Sequence, residues 1–272
     1  MATKNAIANY DQQFYINGTK ISGITSINGG YEIQQEPINI IGKGFAYPTR
    51  QGPLVGRFNI NKYYIGKEVL LDYMDETAIK GSIHYGSKSF GFEDAYLMDY
   101  SMSAGIGQIP SASASISVYG DIGAGITAEG NTTHPPIEIV NQGSMSLNTD
   151  GYENNRVSNF SYTLRINRTP LYAIGKVFPV QVDRQFPILQ ELSISMEVFD
   201  YEIPSIEDYL IKPNQKTLNL IFRNPIDDNL IETFVIKQSR LLSHNISSDT
   251  NGVLKIDLSY NGYLNRGDRG YY

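Results

Sequence analysis

The 272-residue chain has no cysteine, no tryptophan and only three histidines, His84, His134 and His244. Without cysteine there are no disulfide staples, thiolate nucleophiles or Cys-ligated zinc. None of the histidines has a second His or a carboxylate at ligand-like spacing on its own element, so no metal and no cofactor is expected. No apolar run approaches the ~18 residues that cross a bilayer. The opening "MATKNAIANYDQQFYING" lacks a basic segment followed by an apolar core, so neither a secretory signal nor a membrane partner is expected. Charge is sparse, at 18% of residues with a net charge of -6, and the Lys and Arg residues are scattered. Gripping nucleic acid requires clustered cations that displace counterions, so a tight nucleic-acid binder is disfavoured. A surface past which DNA slides remains compatible. Gly-x-Ser-x-Gly, the phosphate-binding Gly-Lys-Ser/Thr loop and the acidic calcium loop are all missing. Carboxylates cluster at Asp72/Asp75/Glu76, Glu93/Asp94, Glu207/Asp208 and Asp227/Asp228; Glu207/Asp208 read as first-turn helix charges and Asp227/Asp228 as a hairpin turn, and no enzyme is expected.

What the chain does contain is strand chemistry. Twenty Tyr and eleven Phe stand among abundant Ile, Ser, Thr and Asn, and ring and β-branched side chains suit a half-buried pleated surface. "RFNINKYYI" (57–65) sets Phe58 and Ile60 against Arg57, Asn59 and Asn61. "ASASISVYG" (112–120), "LSISMEVF" and "LKIDLSYNGY" alternate in the same way. Gly, Asn, Asp and Pro clusters separate these runs, which predicts a mainly β fold of antiparallel sandwich or partial-barrel type. Only two short helices are expected, at Gly66–Glu76 and at Pro204–Lys212, where Ser205 is a plausible N-cap.

One pattern occurs twice. "YEIQQEPINIIGK" (31–43) resembles "LRINRTPLYAIGK" (164–176) at an offset of 133, and "PLVGRFNI" (53–60) resembles "PILQELSI" (187–194) at 134. Further blocks align at 136 ("LLDYM" with "IEDYL"), 139 ("IKGSIHY" with "LNLIFRN") and 142 (Gly120 on Gly262). Five blocks in unbroken order predict a tandem duplication. Residues 1–122 form the first module, with an N-terminal arm at 1–13. Residues 123–136 form a Gly/Thr-rich linker ending in Pro135-Pro136, and 137–272 form the second module with an extended C-terminal tail.

A duplicated, cysteine-free β module of ~130 residues with one short helix resembles the tail tube proteins of tailed bacteriophages. The resemblance implies two tandem tube-like β modules, each with one short helix, in a structural protein of the virion tail assembled in the host cytoplasm. Subunits of that family join laterally into rings, and the rings stack into a conduit for the genome. Three doubled chains would supply six modules, so a homotrimeric ring with pseudo-sixfold symmetry is expected. Its partners would be itself, other tail proteins, and double-stranded DNA passing without specific binding. The same fold serves in tail tip, hub and terminator proteins. The polar faces of the longest alternating strands are the expected lumen lining: Asn59, Asn61, Ser113, Ser115, Ser117, Ser193, Ser195 and Asp257. A second reading is a tandem β-sandwich that binds carbohydrate or a receptor through exposed aromatics, for which Tyr63, Tyr64 and Tyr85 are candidates.

Overall fold

The computed structural model describes residues 12–33, 35–42, 46–50, 53–75, 77–130, 145–149, 152–154, 157–197, 216–224, 226–248 and 254–266. Nearly all of them lie in or between strands. The first half runs through β1 (Gln12–Ile16), β2 (Thr19–Lys20), β3 (Ile24–Glu32), β4 (Gln35–Asn39), β5 (Ala46–Arg50) and β6 (Val55–Tyr63). A 3-10 helix (Val69–Tyr73) follows, then β7 (Ile79–Tyr85), β8 (Lys88–Gly105), β9 (Ser111–Val118) and β10 (Ile122–Ala124). The second half holds β11 (Met145–Thr149), β12 (Tyr152–Asn154), β13 (Val157–Arg165), β14 (Arg168–Leu171) and β15 (Gln181–Arg184). It ends with β16 (Ile188–Glu197), β17 (Lys216–Arg223), β18 (Leu230–Ser247) and β19 (Lys255–Leu264).

Among the described residues every ladder is antiparallel, and seven of them occur twice. The pairings β1–β2, β1–β7, β7–β8, β8–β9, β6–β9, β3–β6 and β4–β5 are repeated by β11–β12, β11–β17, β17–β18, β18–β19, β16–β19, β13–β16 and β14–β15. Fine details repeat with them. β3 and β13 each slip register at the same point, between Ile24 and Ser26 and between Val157 and Asn159. β8 and β18 slip between Leu97 and Asp99 and between Leu241 and Ser243. Asp94 (φ 48) and Gln238 (φ 50) occupy the same left-handed position. Gly42 and Gly175, in the "IGK" turns of both copies, have φ 82 and 83, a backbone state that glycine adopts without strain.

Strand pairing gives a firmer correspondence than residue matching. It places Ser26 on Asn159 and Asn61 on Ser195, the offsets of 133 and 134 read from the sequence. It places Gly81 on Leu218 at 137 rather than 139, and Ser115 on Ser259 at 144, so Val118 rather than Gly120 falls on Gly262. A slip of two residues keeps every side chain on its own face, which is why alternating sequence hides it. The jump comes from one turn: two residues separate Tyr85 from Lys88, whereas nine separate Phe222 from Glu232.

Each half has two layers. β8 and β18, 18 residues apiece, belong to both: their first parts pair with β7 and β17, and their last parts run beside β9 and β19. Between the layers, the Phe58 ring meets Phe92 at 4.6 Å, and Phe92 meets Phe14 at 6.4 Å. In the second half Tyr162 meets Phe234 at 5.4 Å and Phe160 meets Phe222 at 6.0 Å. Truncating one such buried ring to Ala typically costs about 3–5 kcal/mol.

The halves share a sheet and a core. Asn159–Arg165 of β13 pair with Asp99–Gly105 of β8, which makes one sheet in the order β3-β6-β9-β8-β13-β16-β19-β18, open at both ends. Tyr64 of the first half lies 5.0 Å from the Phe222 ring of the second, and the buried apolar side chains of both halves form one cluster.

The helix expected at Gly66–Glu76 is a single 3-10 turn capped by the Glu68 carboxylate, which accepts from Leu70 N at 3.1 Å. Its counterpart at 204–212 lies outside the described residues, as do residues 1–11 of the arm, 131–136 of the linker and 267–272 of the tail. The rest of the linker is docked. Ile122–Ala124 pairs with β8, and the Ala128 carbonyl accepts from Gly18 N at 2.9 Å.

Candidate functional site

Alternation separates the shared sheet into an apolar face, which packs on the outer layer, and a polar one. All eight residues expected to line a lumen lie on the polar face. Ladder partners Asn59 and Ser115, and Asn61 and Ser113, stand side by side in the first half, as do Ser195 and Asp257 in the second. Asn59, Asn61, Ser193 and Asp257 are exposed, while Ser113, Ser115 and Ser195 are half-buried. Ser117 is only 7% exposed, at the end of the strand where Val118 and Tyr119 are buried as well.

The joint between the halves merges the two groups into one band. Ser113 Oγ lies 2.8 Å from Ser101 Oγ on β8, and Ser103 pairs with Ser161, which pairs in turn with Ser193. Sequence reasoning missed Asp99, Ser101, Ser103, Ser161 and Ser259. The alternation of "DYSMSAG" was the available signal for the first three. On this face Glu32, Asp99, Glu191, Glu197 and Asp257 stand with Arg57, Arg165, Arg240 and Lys255, an excess of one acid, and Arg165 is paired with Glu191 at 3.3 Å.

The band ends in two open borders. β3 pairs only with β6, and the Ser243–Ser247 stretch of β18 pairs only with β19, so each presents a row of backbone groups without a ladder partner among the described residues. Apolar side chains stand exposed there: Tyr31 and Ile33 on one border, Leu242 and Ile246 on the other. Such edges invite pairing with another strand.

Buried polar groups lock the internal joint. Glu68 is held by Lys62 Nζ at 3.1 and 3.2 Å and by the Tyr100 hydroxyl at 3.0 Å, and its own N–H donates to the Glu232 carboxylate of the second half at 3.2 Å. Burial pushes the Glu232 carboxyl above its ordinary range, opposed by the Glu68 N–H and by Lys67. Burial also raises the Tyr64 hydroxyl, with Glu232 and Glu68 adding to the effect. Arg168, 8% exposed, donates to three first-half carbonyls: Leu97 at 3.2 Å, Met74 at 2.9 Å and Asp75 at 2.7 Å. Its guanidinium lies 4.9 Å from the centre of the Tyr96 ring.

One arrangement has the outline of a hydrolytic triad but not its chemistry. Ser82 Oγ is 2.8 Å from His84 Nε2, and His84 Nδ1 is 3.6 Å from Glu129. Ser82 is fully buried and its Oγ accepts the Ala128 N–H at 2.8 Å, so no substrate carbonyl can reach it. The group fastens the linker to β7. Asp227 and Asp228 are turn residues: the Asp227 carboxylate accepts from Asn229 N at 3.2 Å. Glu207, Asp208 and His134 lie outside the described residues. The three aromatics suggested as a binding platform do not share a surface. Tyr63 lies on the polar face, Tyr85 is on the outer layer, and Tyr64 is buried against Phe222.

No known family profile matches the chain, and no characterised protein matches it in sequence. Solved structures similar to part of it include Hcp1 from Flavobacterium johnsoniae, at 10% identity and a TM-score of 0.28, covering 44% of this chain and 89% of that one. A chain of the anti-feeding prophage baseplate, sixfold symmetrised, matches at 14% identity and a TM-score of 0.29, covering 44% and 87% respectively. Likeness at these scores carries no weight for function.

Proposed function

We propose that the chain is a structural component of a tail-like tube. Residues 1–122 and 137–272 are two copies of one duplicated unit joined through 123–136, and three chains close into a ring of six units. Rings stack into a conduit within a virion tail, in contact with other tail proteins. The polar band of Asn59, Asn61, Ser113, Ser115, Ser193, Ser195 and Asp257 faces the bore, with Ser117 at its margin. Acidic and hydroxyl side chains there keep double-stranded DNA moving without adhesion, since few cations are offered for counterion exchange. The role is architectural rather than catalytic.

One observation carries this reading: β13 completes the border of β8 inside the chain, while their counterparts β3 and β18 stand open at the two ends of the same sheet. A sheet that curves with its twist removes both borders by closing on further copies. Native mass spectrometry over a concentration series tests it. A species of three 30.4 kDa chains, seen by electron microscopy as rings of uniform bore, is expected. A monomer at every concentration would end the reading.

A further inference from the structure

We infer that the contact between copies pairs β3 of one chain with the last part of β18 of the next, in the register of the internal β13–β8 joint. The partner is a second copy of this chain. That much rests on the ring reading, whereas the register is a separate claim.

The register follows from repeated irregularities. The shared slip in β3 and β13 fixes Ser26 onto Asn159, and the shared slip in β8 and β18 fixes Asp99 onto Ser243. Inside the chain, Arg165 faces Asp99, Leu164 faces Tyr100, Thr163 faces Ser101, Tyr162 faces Met102 and Ser161 faces Ser103. Transposed to the open borders, Glu32 faces Ser243, Tyr31 faces His244, Gly30 faces Asn245, Gly29 faces Ile246 and Asn28 faces Ser247.

The chemistry of these pairs suits contact. Leu164, Tyr100, Tyr162 and Met102 are buried in the internal joint, whereas Tyr31 is 50% and Ile246 51% exposed at the matching open positions. Ile246 comes against Gly29, over which the Phe58 ring lies so close that a Cβ there would be 2.2 Å from it, so the facing apolar surface is that ring. His244 has a buried Nε2 with no partner among the described residues, and the Tyr31 hydroxyl arrives from the facing strand as a donor. Glu32 and Asn28 extend the polar band without a break. Continuity with the joint already formed within the chain identifies the occupant.

The chain has no cysteine, so introduced ones report alone. Gly30 has open space where a Cβ would stand, and Asn245 is exposed, so Gly30→Cys with Asn245→Cys is tolerated by the fold. Directly facing strand residues place their Cβ atoms ~4.5–5.5 Å apart, and diagonal ones ~7–8 Å, which is beyond disulfide reach without backbone movement. Mild oxidation is expected to link chains into dimers and closed trimers. The yield should be several-fold above that of Gly30→Cys with Ser243→Cys or with Ser247→Cys. The corresponding internal pair, Thr163→Cys with Ser101→Cys, calibrates the geometry by closing within one chain. Trimers that form by native mass spectrometry but link best through an off-register pair, or through none of the three, overturn the register and leave the ring standing. If no oligomer forms, both fall. Capture of an unrelated strand in place of a second copy likewise overturns the inference.

Discussion

Replacing Arg168 with Ala tests whether the two halves are one mechanical unit. The guanidinium supplies three hydrogen bonds, at 2.7, 2.9 and 3.2 Å, to carbonyls of the other half, and it packs on Tyr96. Hydrogen bonds from a charged donor are worth about 1.5–3 kcal/mol each, and a partly desolvated cation–ring contact about 0.5–2 kcal/mol. Contributions that share one side chain do not add in full. The expected loss is therefore about 3–5 kcal/mol, the range seen when one partner of a buried charged contact is removed. At about 2–4 °C per kcal/mol for a chain of this size, Tm falls by about 6–20 °C. Arg165→Ala is the control, because that guanidinium makes one exposed pair with Glu191 at 3.3 Å, worth about 0–1 kcal/mol. Thermal unfolding followed by circular dichroism, with urea titration for the free energies, reads both variants. Arg168→Lys keeps the charge and loses the planar fork, so it recovers only part of the loss. A loss for Arg168→Ala no larger than that for Arg165→Ala would show that the joint does not depend on this side chain.

Two further outcomes are expected. The Glu232 carboxyl binds its proton more readily in the folded chain than in the unfolded one, so its contribution to stability grows as pH falls from neutral toward the ordinary carboxylate range. In Glu232→Gln the amide oxygen still accepts the Glu68 N–H. The Tm of this variant should equal or exceed that of the parent at pH 7, with the gap closing on acidification; an unchanged gap between pH 7 and pH 5 would refute the assignment. On the polar face, Asn59→Arg should change stability by no more than about 0.5 kcal/mol, whereas Ser117→Arg, at a buried position, should cost about 2 kcal/mol or more. Equal effects in urea titration would show that the face is misjudged.

Much of the fold could be read from residue order. Period-two runs such as "RFNINKYYI" and "ASASISV" specify both the strands and their faces, because one face must meet Phe92 and its neighbours while the other meets water. The polar band was legible for the same reason. What alternation cannot carry is register along a strand: a shift of two residues leaves every facing intact. Only bulges and positive-φ residues such as Asp94 and Gln238 mark the correct alignment. The internal joint was hidden for a different reason. Ladder pairing between Asn159 and Gly105 spans 54 positions of sequence and follows no local rule, and Tyr64 reads equally well as a surface ring until Phe222 is placed beside it. Ser117 shows the limit of reading faces, since it alternates with the polar positions yet is buried at the strand end.

The unequal turns following β7 and β17 bear on how the outside of an assembly is recognised. Gly86–Ser87 is a tight bend, while the connection after β17 is longer and carries Ile226, 92% exposed. A cylinder made from single-copy building blocks looks the same from every sixth of its circumference. Were three of these chains to close into the proposed ring, short and long turns would alternate around it, leaving it three equivalent headings. A collar or sleeve of threefold character can then settle in a defined azimuth, an orientation that six identical sectors would leave undecided.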